Sequence, residues 1–116
     1  MDIETIQEIS SAIPAVTEDI KWDNNLVFSV GGKMFCIIAT SELPVNASFK
    51  VTEEEFEELC EREGFQPAPY LARYKWVMID DISRLRKIEW EKYLQQSYNL
   101  VKSKLPAKVL KELGIP

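Results

Sequence analysis

Residues 26–39, LVFSVGGKMFCIIA, decide the fold. Two β-rich runs, Leu26–Val30 and Lys33–Ala39, flank Gly31 and Gly32, a two-residue loop suited to the positive φ angles of a tight hairpin. A register set by that loop places Val30 opposite Lys33, Phe28 opposite Phe35 and Leu26 opposite Ile37. One face of the hairpin is then almost wholly apolar, with a cross-strand aromatic pair at its centre. The other face carries Val27, Ser29, Met34, Cys36 and Ile38, apolar with a polar fringe. The first face is expected to meet the core, leaving Lys33 at the rim beside the turn.

Working outward, residues 41–46 form a loop containing Pro44, and residues 47–51 read as a third strand. There Ala47, Phe49 and Val51 alternate with Ser48 and Lys50, the pattern of a sheet with one solvated face. Thr52 and Glu55 spell a capping box for a helix that buries Phe56, Leu59 and Cys60 and stops at Gly64. Seven glutamates, Glu53, Glu54, Glu55, Glu57, Glu58, Glu61 and Glu63, crowd this helix. Carboxylates in a first turn suit the helix dipole, and no loop of converging oxygens is spelled, so they read as a solvated face rather than a cation site. Upstream of the hairpin, Asp2 caps a helix whose stripe is Ile3, Ile6, Ile9 and Ile13, ended by Pro14. Ala15–Trp22 reads as a linker of mixed charge, followed by a turn at residues 23–25.

The stretch Gly64–Asp81 concentrates aromatic and basic side chains. Pro67 and Pro69 push Gln66 and Ala68 away from helix. Residues 70–79 read as one strand, with Ala72, Tyr74, Trp76 and Met78 on one side and Arg73, Lys75, Val77 and Ile79 on the other. Trp76 and Met78 are expected in the core, and Arg73 and Lys75 are expected to project together. Solvated cations whose stems lie over apolar surface explain that pair as well as a binding role does. After Asp80 and Asp81, a long helix is expected from about Ser83. Its stripe runs Ile88, Trp90, Tyr93, Leu94, Ser97, Tyr98, Val101 and Leu105, and it ends at Pro106. Residues 107–113 add a short helix before Gly114.

Composition narrows the function. With 116 residues the chain is expected to be a single domain over 1–116. A chain of this size buries roughly two-thirds of its unfolded surface and needs no staple. The longest apolar runs fall far short of the ~20 residues of a membrane span, and the N-terminus shows no secretory pattern. A cytoplasmic protein is expected, with Cys36 and Cys60 as free thiols. There is no histidine, which removes the commonest general base and metal ligand. No nucleophile–base pair, phosphate loop or metal spacing is present, so no enzyme, cofactor or metal is expected. The net charge of −5 counts against gripping nucleic acid with the whole surface and leaves only a local basic patch for that task.

Several spaced blocks carry a resemblance: residues 16–22 (VTEDIKW), 28–35 (FSVGGKMF), 64–70 (GFQPAPY) and 75–77 (KWV). Through them the chain resembles the MmcQ/YjbR family over almost its whole length. The resemblance implies an α+β fold similar to the bacterial frataxin homologue CyaY, with helices packed on one face of an antiparallel β-sheet. It also implies DNA binding through paired wing-like hairpins, as has been proposed for members of the family. The positions carried over are Lys21, Trp22, Gly31, Gly32, Lys33, Arg73, Lys75 and Trp76. Family members often have a glycine directly after the tryptophan, where this chain has Asp23.

Two functions follow as expectations for a monomer of one domain. In the first, Lys21, Lys33, Arg73 and Lys75 reach DNA phosphates and Trp22 or Trp76 stacks on a base, with weak affinity on the order of 10⁻⁴–10⁻⁶ M. In the second, the Pro67–Trp76 surface binds a protein partner, since Tyr, Trp and Arg are enriched at interface hot spots.

Overall fold

The computed structural model describes residues 1–115. Its elements are α1 (Ile3–Ser11), β1 (Val16–Lys21), β2 (Asn25–Val30), β3 (Lys33–Ala39), β4 (Asn46–Lys50), α2 (Glu53–Cys60), β5 (Phe65–Pro67), β6 (Trp76–Ile79), α3 (Lys87–Lys102) and α4 (Ala107–Leu113). The six strands make one antiparallel sheet in the order β1-β2-β3-β4-β6-β5. Helices cover one face of it, which gives the expected α+β architecture.

The hairpin forms where the sequence places it, but its register differs. Val30 pairs with Lys33 as expected, whereas Phe28 pairs with Cys36 and Leu26 with Ile38. A β-bulge lies where Phe28 and Ser29 meet β3, so Phe35 is the extra residue. Such a bulge puts two consecutive side chains towards one face. Phe35 and Cys36 both enter the core, Ile38 follows, and Ile37 is displaced to the opposite face. The aromatic pair survives the slip, with the Phe28 and Phe35 rings 6.3 Å apart. Gly31 is required on two counts. Its φ is +58°, and a Cβ there would stand 2.8 Å from Leu105.

The core lies between the sheet and α1 and α3. Trp90, Phe28, Phe35, Phe49 and Leu94 are fully buried there. The Phe49 ring meets Trp90 and Tyr93, each at 5.5 Å, and Phe35 meets Tyr98 edge-on at 5.8 Å. Two polar groups of the core aromatics are paired: the Trp90 indole donates to the Ile82 carbonyl at 2.8 Å, and the Tyr98 hydroxyl to that of Pro14 at 2.7 Å, whereas the buried Ser10 hydroxyl has no partner. Both caps read from the sequence are made. The Asp2 carboxylate accepts from the Thr5 amide, and Thr52 and Glu55 complete their reciprocal capping box. Gly64, at φ +90°, lets the Arg84 side chain cross directly over its backbone.

Three further expectations need correction. Residues 16–21, read as linker, are an edge strand paired along its length with β2. Its outward-facing carboxylates hide the apolar alternation by which strands are recognised. Residues 70–79 are not one strand. A 3₁₀ turn at Ala72–Tyr74 and a left-handed Lys75, φ +63°, precede β6. The parity is therefore inverted: Val77 and Ile79 join the core, while Trp76 and Met78 face away from it. Finally, α3 starts at Lys87 rather than near Ser83, because the Asp81 carboxylate caps a separate 3₁₀ turn at Ile82–Arg84. Ile88 then falls in the first turn of α3, 69% exposed, outside the buried stripe.

Candidate functional site

The face of the sheet away from the helices is not open. By strand alternation it carries Val27, Ser29, Met34, Ile37, Ser48, Lys50, Trp76 and Met78. Residues 68–75 fold back across it as a flap. The Ala68 amide donates to the Trp76 carbonyl at 3.0 Å, and the Val51 amide to that of Lys75 at 2.9 Å, which fixes both ends. Between them, the Leu71 and Tyr74 amides donate to Ala68 and Leu71 carbonyls, and Tyr70 and Lys75 take left-handed conformations. The flap does what its sequence demands. Two prolines prevent a helix, and two left-handed residues turn the chain sharply enough to return it to the sheet.

Leu71 of the flap and Met34 of β3 belong to the linings of two hollows. The first, of about 580 Å³, is lined by Trp22, Asn25, Met34, Ile37, Pro69, Tyr70 and Leu71. It is apolar except for Asn25. Trp22 is 60% exposed and Tyr70 99% exposed at its mouth. The second, of about 400 Å³, lies at the other end of β2, beside the Gly31–Gly32 turn. It is lined by Lys33, Lys50, Lys104, Met34, Leu71, Tyr74, Trp76, Val101 and Leu105. No carboxylate is among these residues.

The lysines of the second hollow come from three elements. Lys33 opens β3 at the hairpin tip, Lys50 closes β4, and Lys104 follows the last turn of α3. The Lys50 ammonium donates to the Tyr74 carbonyl at 2.5 Å, which ties β4 to the flap. Burial, and then repulsion from Lys104, hold the Lys50 pKa below its ordinary value. None of the three is in a salt bridge among the described residues, whose ion pairs are Arg84–Asp80 and Arg86–Glu89.

The residues singled out in the sequence are distributed unevenly over this surface. Lys33 and Trp76 line the lysine hollow, with Trp76 only 5% exposed and unavailable for stacking without movement of the flap. Trp22 borders the apolar hollow, and Lys21 ends β1 just before it, at the opposite end of the sheet from Lys33. Arg73 and Lys75 do not project together. The Arg73 guanidinium stacks on the Tyr74 ring at 4.8 Å and donates to its hydroxyl at 2.8 Å. The Lys75 ammonium lies 4.9 Å from the Phe56 ring, towards α2. Their separation follows from the 3₁₀ turn that replaces the expected strand.

Lys50 and Lys104 were not singled out. In the sequence Lys50 is one polar residue of an alternating strand, and Lys104 one of several cations near a helix C-terminus. The two line one hollow because Lys50 pairs with Trp76 across the strands and α3 ends beside them. Among the described residues no three His, Cys, Asp or Glu side chains are grouped as metal ligands would be. No helix among the described residues is long and apolar enough to cross a membrane.

Comparison with known proteins places this architecture. The structure is similar to that of protein DR2400 of Deinococcus radiodurans, which carries a DUF419 domain. The two chains are 26% identical, with a TM-score of 0.86 over 98% of this chain and 88% of that one. A protein from Pseudomonas syringae, 15% identical, shares the fold with a TM-score of 0.70 over 87% of this chain and 99% of its own. No curated protein matches. The YjbR family profile matches residues 11–100, which include the whole sheet, the flap and most of α3. The chain belongs to the YjbR family.

Proposed function

We propose that this protein binds DNA weakly and prefers single strands. The supporting observation is the hollow at the hairpin tip, where Lys33, Lys50 and Lys104 converge without a carboxylate in a chain of net charge −5. Three ammonium groups with no salt-bridge partner among the described residues suit phosphates. Tyr70 and Tyr74 on the flap, with Trp22 at the far hollow, add exposed aromatic surface on which unpaired bases stack. Arg73 and Lys75, each held on an aromatic ring, have secondary roles in this reading, and Lys21 adds a cation next to Trp22 at the far end of the sheet. The protein acts here as a monomeric, cytoplasmic binder without catalytic chemistry.

Titration of single-stranded and duplex DNA at several salt concentrations tests the proposal. Three phosphate contacts give a slope of log K against log salt of about −2 for a single strand. Lys33→Ala with Lys104→Ala is expected to weaken binding at low salt and to lower that slope by about 1.4. The absence of binding at low salt, or binding indifferent to the double substitution, would refute it.

A second reading has its own support. Tyr70, almost fully exposed beside an apolar hollow, is the kind of side chain that anchors a protein interface. In that case Tyr70→Ala abolishes capture of a partner by the purified protein and leaves any DNA binding intact.

A further inference from the structure

We propose that the three-lysine hollow is a pocket for a terminal phosphate monoester carried on a nucleoside, either a free mononucleotide or the phosphorylated end of a strand. The inference relies on the DNA-binding reading only for the second of these sources.

Size is the first argument. A hollow of about 400 Å³ falls within the ~300–1,000 Å³ of small-molecule sites. That is more room than a phosphate alone requires. Charge is the second. An internal phosphodiester carries one negative charge, whereas a monoester carries about −1.5 to −2 at neutral pH. Three lysines without a carboxylate match the dianion better than the diester.

The third argument is placement. Lys50 is held at the flap by the Tyr74 carbonyl, so one of its three donors is used and two remain. It is also partly desolvated and repelled by Lys104, and an anion between them relieves both penalties. In the same lining, Met34, Leu71 and Tyr74 supply an apolar and aromatic wall, to which Trp76, 5% exposed, adds little. A base fits that wall, and a bare inorganic anion makes no use of it. The hollow thus pairs a dianion site with a planar apolar site, as one nucleotide does. With no side-chain carboxylate in the lining to select a sugar hydroxyl, base and sugar discrimination is expected to be slight.

Calorimetric titration of the full chain tests this with adenosine, AMP and inorganic phosphate, and with one oligothymidylate bearing or lacking a 5′ phosphate. AMP is expected to bind at least ten-fold more tightly than adenosine or phosphate, and the phosphorylated oligonucleotide at least ten-fold more tightly than its unphosphorylated twin. Lowering the pH through the second phosphate pKa of about 6 leaves a monoanion and is expected to shrink both advantages. In Lys50→Met the ratio between the phosphorylated and unphosphorylated strands is expected to fall to about one. Lys104→Met, at an exposed site, provides the same reading should Lys50→Met unfold. Equal binding of AMP and adenosine, or a phosphate advantage that persists in both variants, would overturn the pocket. Strand binding without end preference refutes the pocket and spares the DNA-binding reading. AMP binding without strand binding does the reverse.

Discussion

Burial and the Lys104 ammonium hold Lys50 below the ordinary lysine pKa of 10.5, so its protonation favours the unfolded chain. Its penalty is present at neutral pH and is relieved as pH climbs from the lowered folded value to 10.5. Replacing Lys104 with Met removes one of the two causes, and the Lys50 pKa is expected to rise. NMR titration of the lysine side chains checks it, and an unchanged value would show that burial alone is responsible. The same residue marks a limit of reading residues singly. Lys33 was recognisable beside its glycine turn, but Lys50 looked like any solvated position of an alternating strand. Which lysines share a hollow depends on cross-strand partners and on where α3 ends, and neither is written in the local pattern. Arg73 and Lys75 failed the other way: two-residue spacing joins side chains only along a strand, and a 3₁₀ turn intervenes.

Elements differ in how much of their cause is local. Helix α2 is specified by its own first turn, where Thr52 and Glu55 bond reciprocally. Thr52→Ala is expected to destabilise the protein by about 1 kcal/mol in urea unfolding, since it removes the acceptor for the Glu55 amide. Such caps, the isoleucine stripe of α1 and the glycine hairpin were legible because each is a short-range device. Strand β1 was not. It lies at the sheet edge, where Glu18, Asp19 and Lys21 are exposed, and charges there discourage pairing with a foreign strand. The feature that protects the edge erases the alternation that announces a strand. The β3 bulge was hidden for a different reason. A run of apolar residues from Met34 to Ala39 fits either face, so only packing against Tyr98 and its neighbours chooses which ones enter the core.

At the scale of the whole molecule, burial of titratable groups sets the response to alkali. Burial pushes the Cys36 thiol up to about 12, from an ordinary value of 9.0, and also raises Tyr93 and Tyr98. Above pH 9 the unfolded chain releases the Cys36 proton while the folded one keeps it, so stability falls as pH rises. Lys50 opposes this trend only until its own titration is complete. Unfolding midpoints measured from pH 8 to about 11 are expected to decline at a slope of up to about 1.4 kcal/mol per pH unit from each such group. Cys36→Ala is expected to flatten that decline, and an unchanged slope would assign it to the tyrosines. The α+β class was legible from pattern, because it depends on sums over many residues. The flap was not, since it exists through its bonds to distant strands. The order of elements carries one more consequence. Strands β1 to β4 form a run of neighbours in the chain, but the helix that seals Phe28, Phe35 and Phe49 from water comes after all of them. During synthesis the first four strands therefore leave the ribosome with only α1 to cover them, and must wait for α3 to emerge.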